Sequence, residues 1–245
     1  MRKGLVIVVL LLQHLALTAK EADGNVLFET LRTKVLSVRD YTAEVKMKIN
    51  VNYMKIPPLA GTLYYKSPDK MRLERHGGLS ILPKKNINLT LRNLIPSGNV
   101  MVIDVGKTTI ANRQVRILKV VPEDDNSGIV LTKIWIDEAD MVAVRTETTT
   151  RNDGTIIMDL EYAKYIPYSL PDKMTIHLDL KGYKLPKGVT MDYDDLPEAK
   201  IARDAKEGKN QKGTIQINYL KYEINKGISD KVFEVDDRAK KQEQQ

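Results

Sequence analysis

The side chains best suited to chemistry are sparse in this 245-residue chain and do not gather into a set. Cysteine is absent, so no thiolate can serve as nucleophile or metal ligand. Of the three histidines, His14 falls inside an apolar N-terminal run, and His76 and His177 lie far apart in or beside strand-like segments. A zinc site needs its ligands clustered, so these read as wall or surface residues. No serine sits in a Gly-x-Ser-x-Gly turn. Gly106-Lys107-Thr108 has the look of the end of a phosphate loop, but that loop requires a glycine where Met101 stands, and a hairpin turn with a basic residue fits better. Asp192, Asp194 and Asp195 suggest a calcium loop, yet the positions needing glycine and a distal glutamate hold Pro197 and Arg203. Asn88-Leu89-Thr90 is a formal glycosylation sequon, relevant only in a host that uses it. No acid–base–nucleophile set results. The chain reads as a non-enzyme with no cofactor and no metal.

Export is the next expectation. Met1-Arg2-Lys3 precedes an apolar run over 5–17 that contains Gln13 and His14 and ends on Thr18-Ala19. A spanning helix needs about 20 apolar residues. The shorter run, with its positive start and small-residue exit, reads as a signal peptide over 1–19, with Ala22 as an alternative cleavage point. With no cysteine after the run, no lipid anchor is expected. The expected destination is the periplasm, as a soluble protein. The net charge of +7 is scattered along the strands. No Lys/Arg cluster is interleaved with aromatics, so nucleic acid is not an expected partner.

The elements follow from periodicity. Over 25–38, Val26, Leu27, Leu31, Val35 and Val38 recur at helical spacing, with Asp23 or Asn25 as cap. From Ala43 the period becomes two: Ala43, Val45, Met47, Ile49, Val51 and Tyr53 alternate with polar residues, which is a half-buried strand over 43–53. Further strands are expected at 61–66 and 71–75 around a Ser67-Pro68-Asp69 turn, and at 99–105, 114–121, 129–137 and 141–149. A hairpin at Asp153-Gly154 leads into 155–165, followed by 173–181, 213–225 and 232–235. The apolar, proline-containing stretch 79–96 reads as a loop or helix lid. The segment 182–213, acidic in part, reads as an insertion. The domain spans 20–237, and 238–245 is a polar tail expected to be disordered. About eleven strands joined by tight turns, with no βαβ rhythm, make a mainly β, antiparallel sheet. One helix cannot cover such a sheet. It either closes into a filled barrel or leaves a cavity.

Three runs carry a resemblance. The first is Gly61-Thr62-Leu63-Tyr64-Tyr65-Lys66-Ser67-Pro68-Asp69-Lys70-Met71-Arg72-Leu73-Glu74. The second is Ile134-Trp135-Ile136-Asp137 with Val142-Ala143-Val144-Arg145-Thr146-Glu147 and Asn152-Asp153-Gly154. The third is Asp230-Lys231-Val232-Phe233-Glu234-Val235. As a set they resemble the LolA/LolB-like superfamily of outer membrane lipoprotein-sorting proteins over 26–236, with 182–213 as a departure. The resemblance implies an unclosed antiparallel β-barrel with an N-terminal helix and a lid, whose concave face holds acyl chains of lipoproteins or other lipids in transit to the outer membrane. It also implies membrane-associated donor and acceptor proteins and a monomeric carrier. On the assumption that the apolar side of the first strands faces inward, the cavity wall is Val45, Met47, Ile49, Val51, Leu63, Tyr65, Met71 and Leu73, with Trp135. The motif makes Arg72 the candidate gating residue. The alternative is an envelope stress-sensing binding module of RseB-like type.

Overall fold

The computed structural model describes residues 23–51, 54–55, 57–76, 92, 95–96, 98–124, 128–151, 154–179 and 212–234. The expected signal segment, the sequon, most of the lid stretch, nearly all of 182–213 and the polar tail lie outside them. Helix α1 spans Gly24–Leu36. Asp23 caps it: its Oδ1 accepts from the Asn25 backbone N–H at 2.8 Å, satisfying a donor that the first helical turn leaves without a partner. Leu27, Phe28, Leu31 and Val35 form its buried stripe, while Val26 and Leu36 point to solvent. Glycine at position 24 lets the first turn sit close to the sheet, where an added Cβ would stand 3.3 Å from Leu118 and 3.4 Å from Asp104.

The strands are β1 (Asp40–Val51), β2 (Met54–Lys55), β3 (Leu59–Lys66), β4 (Lys70–Arg75), β5 (Val100–Ile110), β6 (Arg113–Pro122), β7 (Ile129–Asp137), β8 (Val142–Thr150), β9 (Gly154–Glu161), β10 (Lys173–Asp179) and β11 (Lys212–Ile224). They form one antiparallel sheet in the order β4-β3-β1-β11-β10-β9-β8-β7-β6-β5, with β2 folded back onto the end of β1. Among the described residues β4 and β5 are edges, and the sheet is an unclosed barrel.

Two local expectations change. Gly106-Lys107-Thr108 is not a turn: β5 runs through it, with the register slipping between Asp104 and Gly106 and Gly106 at φ 108°. The β5–β6 turn is instead Ala111-Asn112, at φ 47° and 65° and closed by Ile110 opposite Arg113, the positive-φ pair that a two-residue hairpin needs. The expected last strand at 232–235 is a 3₁₀ turn, Asp230–Phe233, whose start Ser229 caps.

The pleat sorts the side chains. Facing α1, one row crosses the sheet in register: Ile49, Ile215, Ile176, Met158, Thr146, Ile134 and Leu118. Leu118, Ile134, Met158 and Ile176 are fully buried there, and most of the row joins the cluster built around Leu27, Phe28 and Leu31. Two threonines in this wall, Thr132 and Thr148, hydrogen-bond each other across β7–β8 at 3.2 Å. A second cluster of Val115, Trp135, Val142 and Val144 lies on the opposite face.

Candidate ligand-binding face and tyrosine cleft

The expected wall residues divide by the pleat. Val45, Leu63, Tyr65 and Leu73 are buried in the cluster under α1, and Met47 and Met71 pack on its margin. The register holds them together: Ala43, Leu63 and Leu73 align across β1, β3 and β4, as do Tyr41, Tyr65 and Met71. Ile49 is buried further along β1 opposite Ile215, and Val51 ends that strand opposite Gly213.

Two expected site residues are not on this face. Trp135 alternates with the fully buried Ile134 and Ile136 and therefore points to the other side of the sheet. There Lys133 Nζ lies 4.5 Å and the Arg145 guanidinium 5.7 Å from its ring, and Arg145 pairs with Asp159 at 3.4 Å. Arg72 likewise alternates with Leu73. Its Nη1 donates to the Val232 carbonyl at 2.6 Å, fastening the C-terminal 3₁₀ turn to β4. Neither histidine belongs to the face under α1: His177 Nε2 is 2.6 Å from Asp159 on the outer side, and His76 Nε2 is 3.5 Å from Glu44. Among the described residues no group of His, Asp and Glu has the arrangement of a metal site.

Among the described residues, the face under α1 opens at one end. Where the helix stops, Tyr41, Tyr65, Tyr219 and Tyr222 meet the linker between β9 and β10. Tyr41 and Tyr65 stack at 5.0 Å, Tyr219 and Tyr222 stack at 5.1 Å, and Tyr41 and Tyr165 meet Tyr222 edge-on at 5.3 and 4.8 Å. A β-bulge makes this possible. The β1–β11 register slips past Leu220, so Tyr219 and Tyr222, three apart, turn to the same face and Leu220 is left exposed. Strict alternation over 213–225 separates them, which is why sequence periodicity missed the cluster. The only hint in the sequence is the pair of tyrosines in Tyr219-Leu220-Lys221-Tyr222.

Between these rings, Val35, Val38, Met174 and the segment Tyr168–Pro171 lies a cleft of about 30 Å³, with Arg92 on its wall. Burial pushes the phenols of Tyr41, Tyr219 and Tyr222 well above their ordinary range. Tyr65 is also raised by burial, with the Arg92 charge pulling it back down and Asp69 adding to the rise. All four are hydroxyl donors near neutral pH. Tyr222 uses its O–H on the Pro171 carbonyl at 2.8 Å, and Tyr65 reaches the Pro68 carbonyl at 3.4 Å.

No protein-family model matches the sequence, and no curated protein matches it. Solved structures do match. A LolA superfamily protein from Nitrosomonas europaea superposes with a TM-score of 0.53 at 9% identity, over 88% of this chain and 99% of that one. A domain from Vibrio parahaemolyticus described as an outer membrane lipoprotein-sorting protein gives 0.50 at 14% identity, over 86% and 97%. A DUF1329 family protein from Desulfovibrio piger gives 0.50 at 13%, over 87% and 98%. At these identities the likeness speaks for architecture, and the eleven-stranded open sheet with its helix under the concave side is the LolA-like fold.

Proposed function

We propose that this protein is a periplasmic carrier or binding protein for acyl chains, of lipoproteins or of other lipids, that passes its cargo between membrane-associated partners and performs no reaction on it. One observation carries the reading. A largely apolar face runs across an unclosed sheet and is roofed, among the described residues, by the thirteen-residue α1, with an aromatic cleft opening where that helix ends. The likeness to lipoprotein-sorting folds points the same way. Among the described residues no helix is long and apolar enough to cross a membrane.

Ligand pockets measure roughly 300–1,000 Å³, and the cleft offers about 30 Å³. A chain that enters through this cleft must therefore displace part of the roof. Each methylene it buries contributes about 0.8 kcal/mol, which offsets the apolar contacts that Phe28 and Leu31 give up when α1 lifts. In this reading α1 holds the place that the cargo takes when it binds. Native mass spectrometry of protein purified from the envelope of its producing cell tests this directly. Co-purifying lipid, or saturable binding of a fluorescent fatty acid that loosens α1, is the expected result. A protein that emerges lipid-free and ignores amphiphiles of every head group sinks the proposal.

A further inference from the structure

The tyrosine cleft is more polar than a chain-binding groove requires. Ser169 lines it, is 2% exposed, and its Oγ has no hydrogen-bond partner. Ser169 also stands at φ 50°, a left-handed conformation that a serine adopts at a cost. The hydroxyls of Tyr41 and Tyr219, whose rings line the same cleft, enter none of the hydrogen bonds of the described residues. A buried hydroxyl without a partner is destabilising, and Ser169 holds one. With the phenols of Tyr41 and Tyr219 on the same cleft and Arg92 on its wall, it makes a set of donors awaiting an acceptor. The acidic groups nearby do not supply one: Asp172 accepts from the Ala163 and Lys164 N–H groups at 2.7 and 2.9 Å, and Asp69 sits on the turn beyond Tyr65.

We propose that this cleft is an oxyanion pole: Tyr41, Tyr219, Ser169 and Arg92 seat one oxygen of the carboxylate or phosphate-monoester head of a single-chain lipid. The inference rests on the carrier reading and narrows its cargo. The size fits, since the cleft's volume of about 30 Å³ exceeds the roughly 10–15 Å³ that one water-sized oxygen needs. The sign fits, because the phenols are held protonated by burial and Arg92 brings the charge that shortens and strengthens such bonds. The place fits as well. Val35, Val38 and Met174, next to the hydroxyls, begin the apolar face along which a chain would run once α1 yields.

The test uses the mature protein and displacement of cis-parinaric acid. Dodecanoate and dodecyl phosphate are expected to displace the probe at least about tenfold more tightly than methyl dodecanoate, a gap of one decade in Kd. Tyr219→Phe, Ser169→Ala and Arg92→Gln each erase that preference while leaving the methyl ester's affinity in place, and Tyr219→Phe removes only a hydroxyl and keeps the ring packing. If acid and ester bind wild type equally, the pole is overturned while the carrier reading stands. The pole is also overturned if only Arg92→Gln matters, since that is long-range charge attraction. Inorganic phosphate that competes with dodecanoate assigns the cleft to free oxyanions and overturns the lipid head. If no amphiphile binds at all, the carrier reading falls and the pole with it.

Discussion

Among single residues, Gly61 shows why a motif position can be fixed without touching cargo. It opens the run Gly61-Thr62-Leu63-Tyr64-Tyr65 and pairs with Val45 on β1 and Arg75 on β4. A Cβ there would stand 2.3 Å from the Glu74 carbonyl oxygen, on rigid backbone that cannot swing aside. The glycine is needed for close approach of two strands. Gly61→Ala should cost about 2 kcal/mol through forced strand separation, lowering Tm by about 4–8 °C for a domain of this size. Calorimetry that finds the melting point unmoved would remove the steric explanation. Trp135 and Arg72 make the same point from the other direction. They were expected on the cavity wall because they sit in family-like runs. Each is one residue out of phase with the buried positions, and a shift of one residue changes the face.

At the scale of elements, the first and third of those runs meet in a clasp. Asp230 Oδ1 accepts from Lys70 Nζ at 2.8 Å and Lys66 Nζ at 2.9 Å, Lys66 also reaches the Ile228 carbonyl, and Arg72 holds Val232. Hydrogen bonds from Lys70 and Lys66 depress the Asp230 carboxyl to about 2. A depressed acid stabilises the fold above its unfolded value of about 3.9, and that contribution drains away as pH falls through about 2. An NMR carboxyl titration should therefore find Asp230 near 2 in the wild type and nearer the ordinary value in Lys70→Met. A midpoint near 3.9 in both would mean the clasp is open in solution. The helix and most strands were legible because their apolar spacing is local, as in Val45, Met47 and Ile49 or Leu27, Leu31 and Val35. The cleft was not, because it depends on a slipped register at Leu220, on the left-handed Ser169 and on Arg92, and none of these leaves a periodic trace. The 3₁₀ turn at Asp230–Phe233 hid for a related reason: Val232-Phe233-Glu234-Val235 has strand composition, and the cation clasp from β3 and β4 overrides it.

For the molecule as a whole, the two edge strands of the sheet formed by the described residues are unequal. The edge strand β4 carries Lys70, Arg72 and Glu74 alternating with the half-buried Met71 and the buried Leu73, which is charge of the kind that discourages pairing with another sheet. The outward side of β5 instead carries Met101, Ile103 and Val105, at 58%, 46% and 48% exposure. Only Lys119, across from Ile103, breaks that apolar strip. A net charge of +7 keeps copies apart at low ionic strength, and salt screens that repulsion within roughly 10 Å at 0.1 M. The wild type should therefore associate through β5 as salt and concentration rise, and the double variant Met101→Lys with Ile103→Lys should not. Because both side chains are in water already, the variant's Tm should match the wild type's, which separates an edge effect from a folding defect. Light scattering against salt for the two proteins decides the matter: equal association in both would place the sticky surface somewhere other than β5.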